Sequence, residues 1–272
     1  VLLLAESWPA EDLGRLCVVP GQSLSGRLRY FCSERVEVNC LSQDTLGLKE
    51  KESPYFSFAL LKVPNSAPIF MTGVHFPILH LSIDQRYEDA QEYIRFIHKN
   101  EAFARKLLQQ QATAASGPKM GEERSMIWGD FNMNPFDPGM TEANSFNSVA
   151  SHRTASGRRR RSGRLGPLVN YYYNPSWRLF GDFYDFAGAP SGQEKVPGTL
   201  GHSPGKRREL HWNVFDQVLV GKGLLPCFVG GSLQVPYMSQ NRNPLITEDY
   251  KINGEYSDHL PIIFSLDLGS YE

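Results

Sequence analysis

Two short runs hold most of the reactive side chains of this 272-residue chain: Gly129-Asp130-Phe131-Asn132 and, far downstream, Ser257-Asp258-His259. Each places acid, amide or imidazole groups beside an apolar strand pattern. Asp130 and Asn132 flank Phe131, so alternation would turn both polar groups the same way while Phe131 anchors in the core. A carboxylate and an amide so placed can grip one nucleophilic water or a metal ion. The bland alternative is a simple turn, with which Asn134-Pro135 agrees. Asp216 lies in Val214-Phe215-Asp216-Gln217-Val218-Leu219-Val220, where alternation puts it on one face with Val214, Val218 and Val220. A carboxylate among valines needs a partner, because an unpaired buried charge is costly. His259 is the natural one: a carboxylate on one ring nitrogen fixes the tautomer and leaves the other to act as base or phosphate ligand. A structural hydrogen bond from Asp216 to a neighbouring loop is the alternative. Glu6 and Asp258 add hard oxygen donors of the type magnesium selects. His75 is a second imidazole at a strand end, a position where a lone histidine is commonly structural. All seven groups fall at or beside strand ends, which one shared site explains better than seven separate structural roles. The chemistry expected of such a site is metal-assisted cleavage of a phosphate ester.

The elements that must position these groups can be read from periodicity. Val1 to Ala5 suits a buried strand that delivers Glu6 before Trp8-Pro9 breaks the pattern. Tyr55 to Val63 and Ile69 to Phe76 read as two strands around the turn Pro64-Asn65-Ser66, the second bringing His75 to its end ahead of Pro77. Ser82-Ile83-Asp84-Gln85 is a capping box, followed at helical spacing by Ile83, Tyr87, Ala90, Ile94 and Ile97; the helix is expected to run to about Gln111. A loop containing Gly117-Pro118 returns the chain to a strand at Met126-Ile127-Trp128, and further strands are expected over Trp212 to Val220 and Leu260 to Leu266. Helices alternating with strands favour a layered α/β architecture. Residues 167 to 212, rich in Tyr, Trp, Gly and Pro, are expected as long loops beside the site, their aromatics serving packing or stacking on a base or sugar.

Composition bounds the remainder. With 41% apolar residues and a formal charge of −1, the chain can build a substantial core and lacks a global basic field. Basic charge is instead local: Arg153, Arg158, Arg159, Arg160, Arg161 and Arg164 lie among Ser and Gly between 151 and 166. That composition predicts an exposed, mobile loop, either a solvated insert or a contact for a polyanion or anionic membrane surface. Cys17, Cys32, Cys40 and Cys227 lack zinc-site spacing and are expected as reduced thiols, with a Cys17–Cys32 or Cys32–Cys40 bridge as the alternative. No apolar run approaches the length of a membrane span. A start inside an apolar run without Met reads as a fragment lacking its natural N-terminus, so the compartment stays open.

Taken together, Leu4-Ala5-Glu6, Val74-His75-Phe76, Gly129-Asp130-Phe131-Asn132, Phe215-Asp216-Gln217-Val218 and Ser257-Asp258-His259 resemble, in order and spacing, the motifs of the endonuclease/exonuclease/phosphatase superfamily, the pancreatic deoxyribonuclease-like proteins. The resemblance spans nearly the whole chain as a single domain, residues 1–272, with an N-terminal strand missing. It implies a four-layered α/β/β/α sandwich of two mixed β-sheets flanked by helices. It further implies that Glu6 binds Mg2+ (or Mn2+ or Ca2+) with Asp258 supporting the metal or its waters. Asp130 and Asn132 would position the attacking water and a phosphate oxygen, Asp216 would orient His259, and His75 would bind phosphate or assist the leaving group, with Asp130 or His259 as base. Glu52 is a candidate support for His75. The implied function is a monomeric metal-dependent phosphodiesterase, an endo- or exonuclease acting on nucleic acid. A phospholipid or inositol-phosphate phosphatase, a sphingomyelinase-like hydrolase, and an inactive binding protein of the same fold are the alternatives.

Overall fold

The computed structural model describes residues 2–4, 17–18, 29–32, 37–41, 55–64, 66–76, 81–112, 124–161, 164, 166, 168–180, 196, 198–201, 212–239, 243–247 and 251–269, with side chains described outside 2–4, 17–18, 29–32 and 107–112. Glu6, Glu52 and the Gly117-Pro118 loop lie outside the described residues.

In chain order the strands and helices are β1 (Leu2–Leu4), β2 (Cys17–Val18), β3 (Arg29–Cys32), β4 (Glu37–Cys40), β5 (Phe56–Lys62), β6 (Ile69–His75), α1 (Ile83–Ala112), β7 (Ser125–Asp130), α2 (Pro138–Thr141), β8 (Ser148–Val149), α3 (His152–Gly157), β9 (Arg159–Arg161), β10 (Leu168–Asn170), β11 (Tyr172–Tyr173), β12 (Leu200–Gly201), β13 (Trp212–Asn213) and β14 (Asp216–Val220). Seven of them form one mixed sheet in the order β4-β5-β6-β7-β14-β11-β8. β6 and β7 pair parallel, as do β8 and β11, and the other neighbours are antiparallel. The parallel β6–β7 pair requires a crossover, and α1 supplies it. Its capping box forms as expected: Gln85 N donates to Ser82 Oγ at 3.3 Å while Ser82 N donates to Gln85 Oε1 at 3.0 Å.

The sheet is apolar on both faces, and strand alternation divides the core in two. Phe56, Phe58 and Leu60 of β5, Phe70 and Val74 of β6 and Ile127 of β7 pack with Ala90, Ile94 and Ile97 of α1. The opposite parity, Ala59 and Leu61, Ile69 and Met71, Met126 and Trp128, Val218 and Val220, packs against the C-terminal segment through Leu233, Leu245 and Leu260. Ile83 departs from the expected helix face and is 59% exposed, since it occupies the first turn before α1 meets the sheet.

The architecture is α/β, as expected. In addition to the helix, the seven-stranded sheet and the C-terminal segment, the described residues hold a three-stranded antiparallel sheet in the order β1-β3-β2. The C-terminal layer is held by isolated bridges, Phe228↔Leu266 and Gln234↔Ile263, in place of the continuous strand expected from Leu260 to Leu266. Pro261, with no N–H, cannot serve a ladder there. The expected strand from Trp212 to Val220 is divided, β13 pairing with β12 and β14 with β7 and β11, and Val214-Phe215 carry the chain between sheets. Residues 168–180, expected as loop, contain β10, β11 and a 3-10 turn at Pro175–Leu179. Cys40 and Cys227 are reduced thiols, which removes the Cys32–Cys40 bridge; Cys17 and Cys32 are backbone register partners of β2 and β3.

The arginine-rich segment also differs from expectation. Ser151 caps α3 by accepting from Thr154 N at 3.1 Å, and β9 pairs antiparallel with β10. Arg160 donates to Glu142 Oε2 at 3.1 Å and to Thr141 O at 3.0 Å. Composition undercounts such a segment because its order comes from partners supplied elsewhere, not from apolar area of its own.

Gly129 leaves no room for a side chain against its neighbouring strand. Its φ is +132°, and a Cβ there would lie 2.1 Å from Val74 O, its register partner. Gly129→Ala is therefore expected to cost about 3 kcal/mol or more, because backbone must move against backbone. Urea denaturation of the variant checks this.

Candidate active site

His75 ends β6, Asp130 ends β7 and Asp216 begins β14, and the register places all three side by side: His75 opposite Asp130, and Asp130 opposite Asp216. Parity decides which way they face. His75 shares its face with Ile69 and Met71, Asp130 with Met126 and Trp128, and Asp216 with Val218 and Val220, all on the side covered by the C-terminal segment. That segment carries Ser257, Asp258 and His259.

The contacts follow from this placement. His259 Nδ1 donates to Asp216 Oδ2 at 2.8 Å. His75 Nε2 stands 3.7 Å from Asp130 Oδ2. Phe131 is fully buried in the α1-side core, edge-on to Phe76 and Phe146. Asn132 turns back in a left-handed conformation with φ +49°, which asparagine tolerates better than most residues. Its backbone N–H donates to Asp130 Oδ1 at 2.8 Å, and its side-chain amide donates to Asp130 Oδ2 at 2.9 Å and to Phe76 O at 2.5 Å. Both hydrogens of that amide are thus engaged within the protein, so Asn132 holds the Asp130 carboxylate and ties β7 to the end of β6.

Sequence reasoning missed the polar groups beneath this layer. Thr199, fully buried, accepts at Oγ1 from Phe215 N at 3.1 Å and Asp216 N at 3.0 Å, while its carbonyl accepts from Leu260 N at 2.7 Å. One residue thereby anchors both Asp216 and the segment bearing His259. Asn134 Nδ2 donates to Asn213 Oδ1 at 2.8 Å, and Asn134 Oδ1 accepts from Val214 N at 2.9 Å. Gln217 Nε2 donates to Met133 O at 2.5 Å and Val214 O at 2.9 Å, and Gln217 Oε1 accepts from Asn174 at 2.7 Å. Such roles follow from burial beside unpaired backbone, which no local pattern encodes; Gln217 had only its place in the Phe215-Asp216-Gln217-Val218 run.

Electrostatics set the state of His259. Burial disfavours the charged ring, but the Asp216 charge and hydrogen bond, with Asp130 and Asp258 behind them, outweigh it and push the pKa up to about 10. Near neutral pH the ring is an imidazolium. Among the described residues three carboxylates, those of Asp216, Asp130 and Asp258, act on this one ring. Asp258 is exposed, an accessible hard oxygen donor, while Asp216 and both oxygens of Asp130 are already in hydrogen bonds. Among the described residues no group of three His, Cys, Asp or Glu side chains is arranged to hold a metal ion. Among the described residues no helix is long and apolar enough to cross a membrane.

No family model and no curated protein sequence matches the chain. Solved structures to which it is similar include truncated TDP2 from Caenorhabditis elegans, at 11% identity and a TM-score of 0.44 over 98% of this chain and 84% of that one. The endonuclease domain of TRAS1, a telomere-specific non-LTR retrotransposon, is 10% identical with a TM-score of 0.35 over 99% and 81% of the two chains. An endonuclease/exonuclease/phosphatase family protein from Bacteroides thetaiotaomicron is 11% identical with a TM-score of 0.38 over 88% and 66%.

Two outcomes follow from the geometry. Since the folded His259 pKa lies above its ordinary 6.5, the pair's contribution is fully present below pH 6.5 and is lost as pH rises through about 10. Wild type should therefore exceed Asp216→Asn in unfolding free energy, in EDTA, by a margin that shrinks between pH 6.5 and 10; denaturation at a series of pH values tests the trend. Thr199→Val leaves two buried N–H groups without their acceptor and should cost about 2–6 kcal/mol, at roughly 1–3 kcal/mol per orphaned donor, in the same assay.

Proposed function

We propose that this chain is a metal-dependent phosphoesterase that cleaves phosphodiester bonds, with nucleic acid as substrate. The observation that carries the reading is the single row His75, Asp130, Asp216 with His259 closing over it on the covered sheet face. An imidazolium held by a buried carboxylate is suited to donate to a phosphate oxygen or a departing alkoxide, and is already charged when substrate arrives. Asp130, oriented through both oxygens by Asn132, is the group assigned to take the proton of the attacking water. His75, 3.7 Å from Asp130, stands at the same level to contact a phosphate oxygen.

The carboxylates described around His259 bear on the metal. A phosphodiester is itself an anion, and its approach to three carboxylates and one imidazolium is unfavourable until a further cation is present. Asp258 fits a hard divalent ion, and Glu6, outside the described residues, is the second proposed ligand. When bound, Mg2+ would neutralise charge on the phosphoryl oxygens. The preference for nucleic acid rests on the exposed Arg153, Arg158 and Arg161 around the β9–β10 hairpin, a local basic surface on a chain of near-zero net charge.

Incubation with supercoiled plasmid in Mg2+ tests the proposal. Nicking should disappear in EDTA, and Asp130→Ala and His259→Ala should each slow it by about 10²–10⁴-fold while circular dichroism stays native. Turnover that survives either substitution would sink the assignment. Metal-dependent hydrolysis of an inositol phosphate or phospholipid without nicking would move the substrate to the lipid branch.

A further inference from the structure

β7 and β14 lead to chemistry at one end only, yet their other ends open into a second concavity. β7 begins at Ser125 and β14 runs into Gly221, whose N–H donates to Ser125 O at 2.9 Å. Around this point a cleft of about 380 Å³ lies between α1, the β9–β10 hairpin, Tyr171 and the turn that follows β14. Five residues of strand separate it from Asp130 and Asp216, or about 17 Å at the usual rise per residue. Its volume falls in the range of small-molecule sites.

The charge lining the cleft is unbalanced. Arg105 is satisfied by the buried Glu101, at 2.6 Å, so that pair is neutral and structural. Arg159 and Lys222 remain. Arg159 spends only Nε on a neutral partner, Asn170 Oδ1 at 2.9 Å, and its two terminal nitrogens have no carboxylate among the described residues. Lys222, half-buried, has no acidic partner among them either. Among the described residues these two cations line one cleft with no counter-charge of their own. Beside them stand Tyr171, partly exposed, and Leu168, 54% exposed, which is an unusual place to leave a large apolar side chain in a basic setting.

We infer that this cleft is a second ligand site, distinct from the catalytic row, and that it binds a small phosphate monoester of nucleotide size. A guanidinium fork and an ammonium lining one cleft match a phosphate dianion, the fork taking two oxygens and the ammonium acting as a point charge. Tyr171 and Leu168 offer a face for a planar organic group attached to that phosphate. The same reading accounts for the hairpin. Arg160 is turned to Glu142 and holds the hairpin down, so that Arg159, on the opposite parity, is presented to the cleft. The arginine run therefore does two jobs, anchoring and presenting, which an unstructured insert would not.

Calorimetric titration of the whole chain with AMP in EDTA tests the site without reference to catalysis. Binding should weaken at least tenfold in Arg159→Glu/Lys222→Glu, and by less than twofold in Asp130→Asn. Adenosine, which lacks the phosphate, should bind at least tenfold more weakly than AMP. In Mg2+, hydrolysis of bis(p-nitrophenyl) phosphate should keep its kcat/KM in the double variant, since neither residue is near the catalytic row. AMP affinity unchanged in the double variant, no AMP binding at millimolar concentration, or binding lost in Asp130→Asn would each overturn the second site. Absence of bis(p-nitrophenyl) phosphate hydrolysis with AMP binding intact would instead overturn the catalytic proposal and leave this one standing.

Discussion

The close parallel approach of β6 and β7 at Val74 and Gly129 is the constraint on which the site depends. Only a residue without Cβ fits against Val74 O at that backbone conformation, and the register that continues from this pair sets His75 level with Asp130. β14 completes the row by antiparallel pairing, which sets Asp216 opposite Asp130. The row is therefore a property of register. A slip of one residue in any of the three strands would send one of these side chains to the α1 face, into an aromatic core with no partner for it.

Register alone would leave buried charges exposed to their own desolvation cost, and the polar scaffold removes that cost. Asn132 satisfies both oxygens of Asp130, Thr199 satisfies the backbone of Phe215 and Asp216, and Asn134 and Gln217 satisfy the break between β13 and β14. That break matters functionally. The chain leaves the small sheet at Asn213 and enters the large one at Asp216, so Asp216 sits where backbone geometry changes and its carboxylate can meet His259 from the C-terminal layer. Asp216, with Asp130 and Asp258 behind it, holds the His259 ring in its charged form. At the far end of the same strands Arg159 and Lys222 line a cleft whose Glu101 is paired with Arg105.

Much of this was legible from residue order. The alternation of Ile69 to His75 and of Val214 to Val220 names the face of each strand, because the side-chain period is two whatever the partner. The capping box at Ser82 and Gln85 sets the start of α1 because its hydrogen bonds are local. The pairing of Asp216 with His259 could be anticipated because a carboxylate among valines has few stable options. What sequence left undecided was everything fixed by neighbours distant along the chain. Asn132 faces inward because Phe76 O is there to accept its amide; Thr199 matters because two orphan N–H groups happen to point at it; Arg158 to Arg161 are ordered because β10 and Glu142 supply partners. Composition and period report what a residue prefers, while its role is set by which unsatisfied group the tertiary fold brings within hydrogen-bond reach.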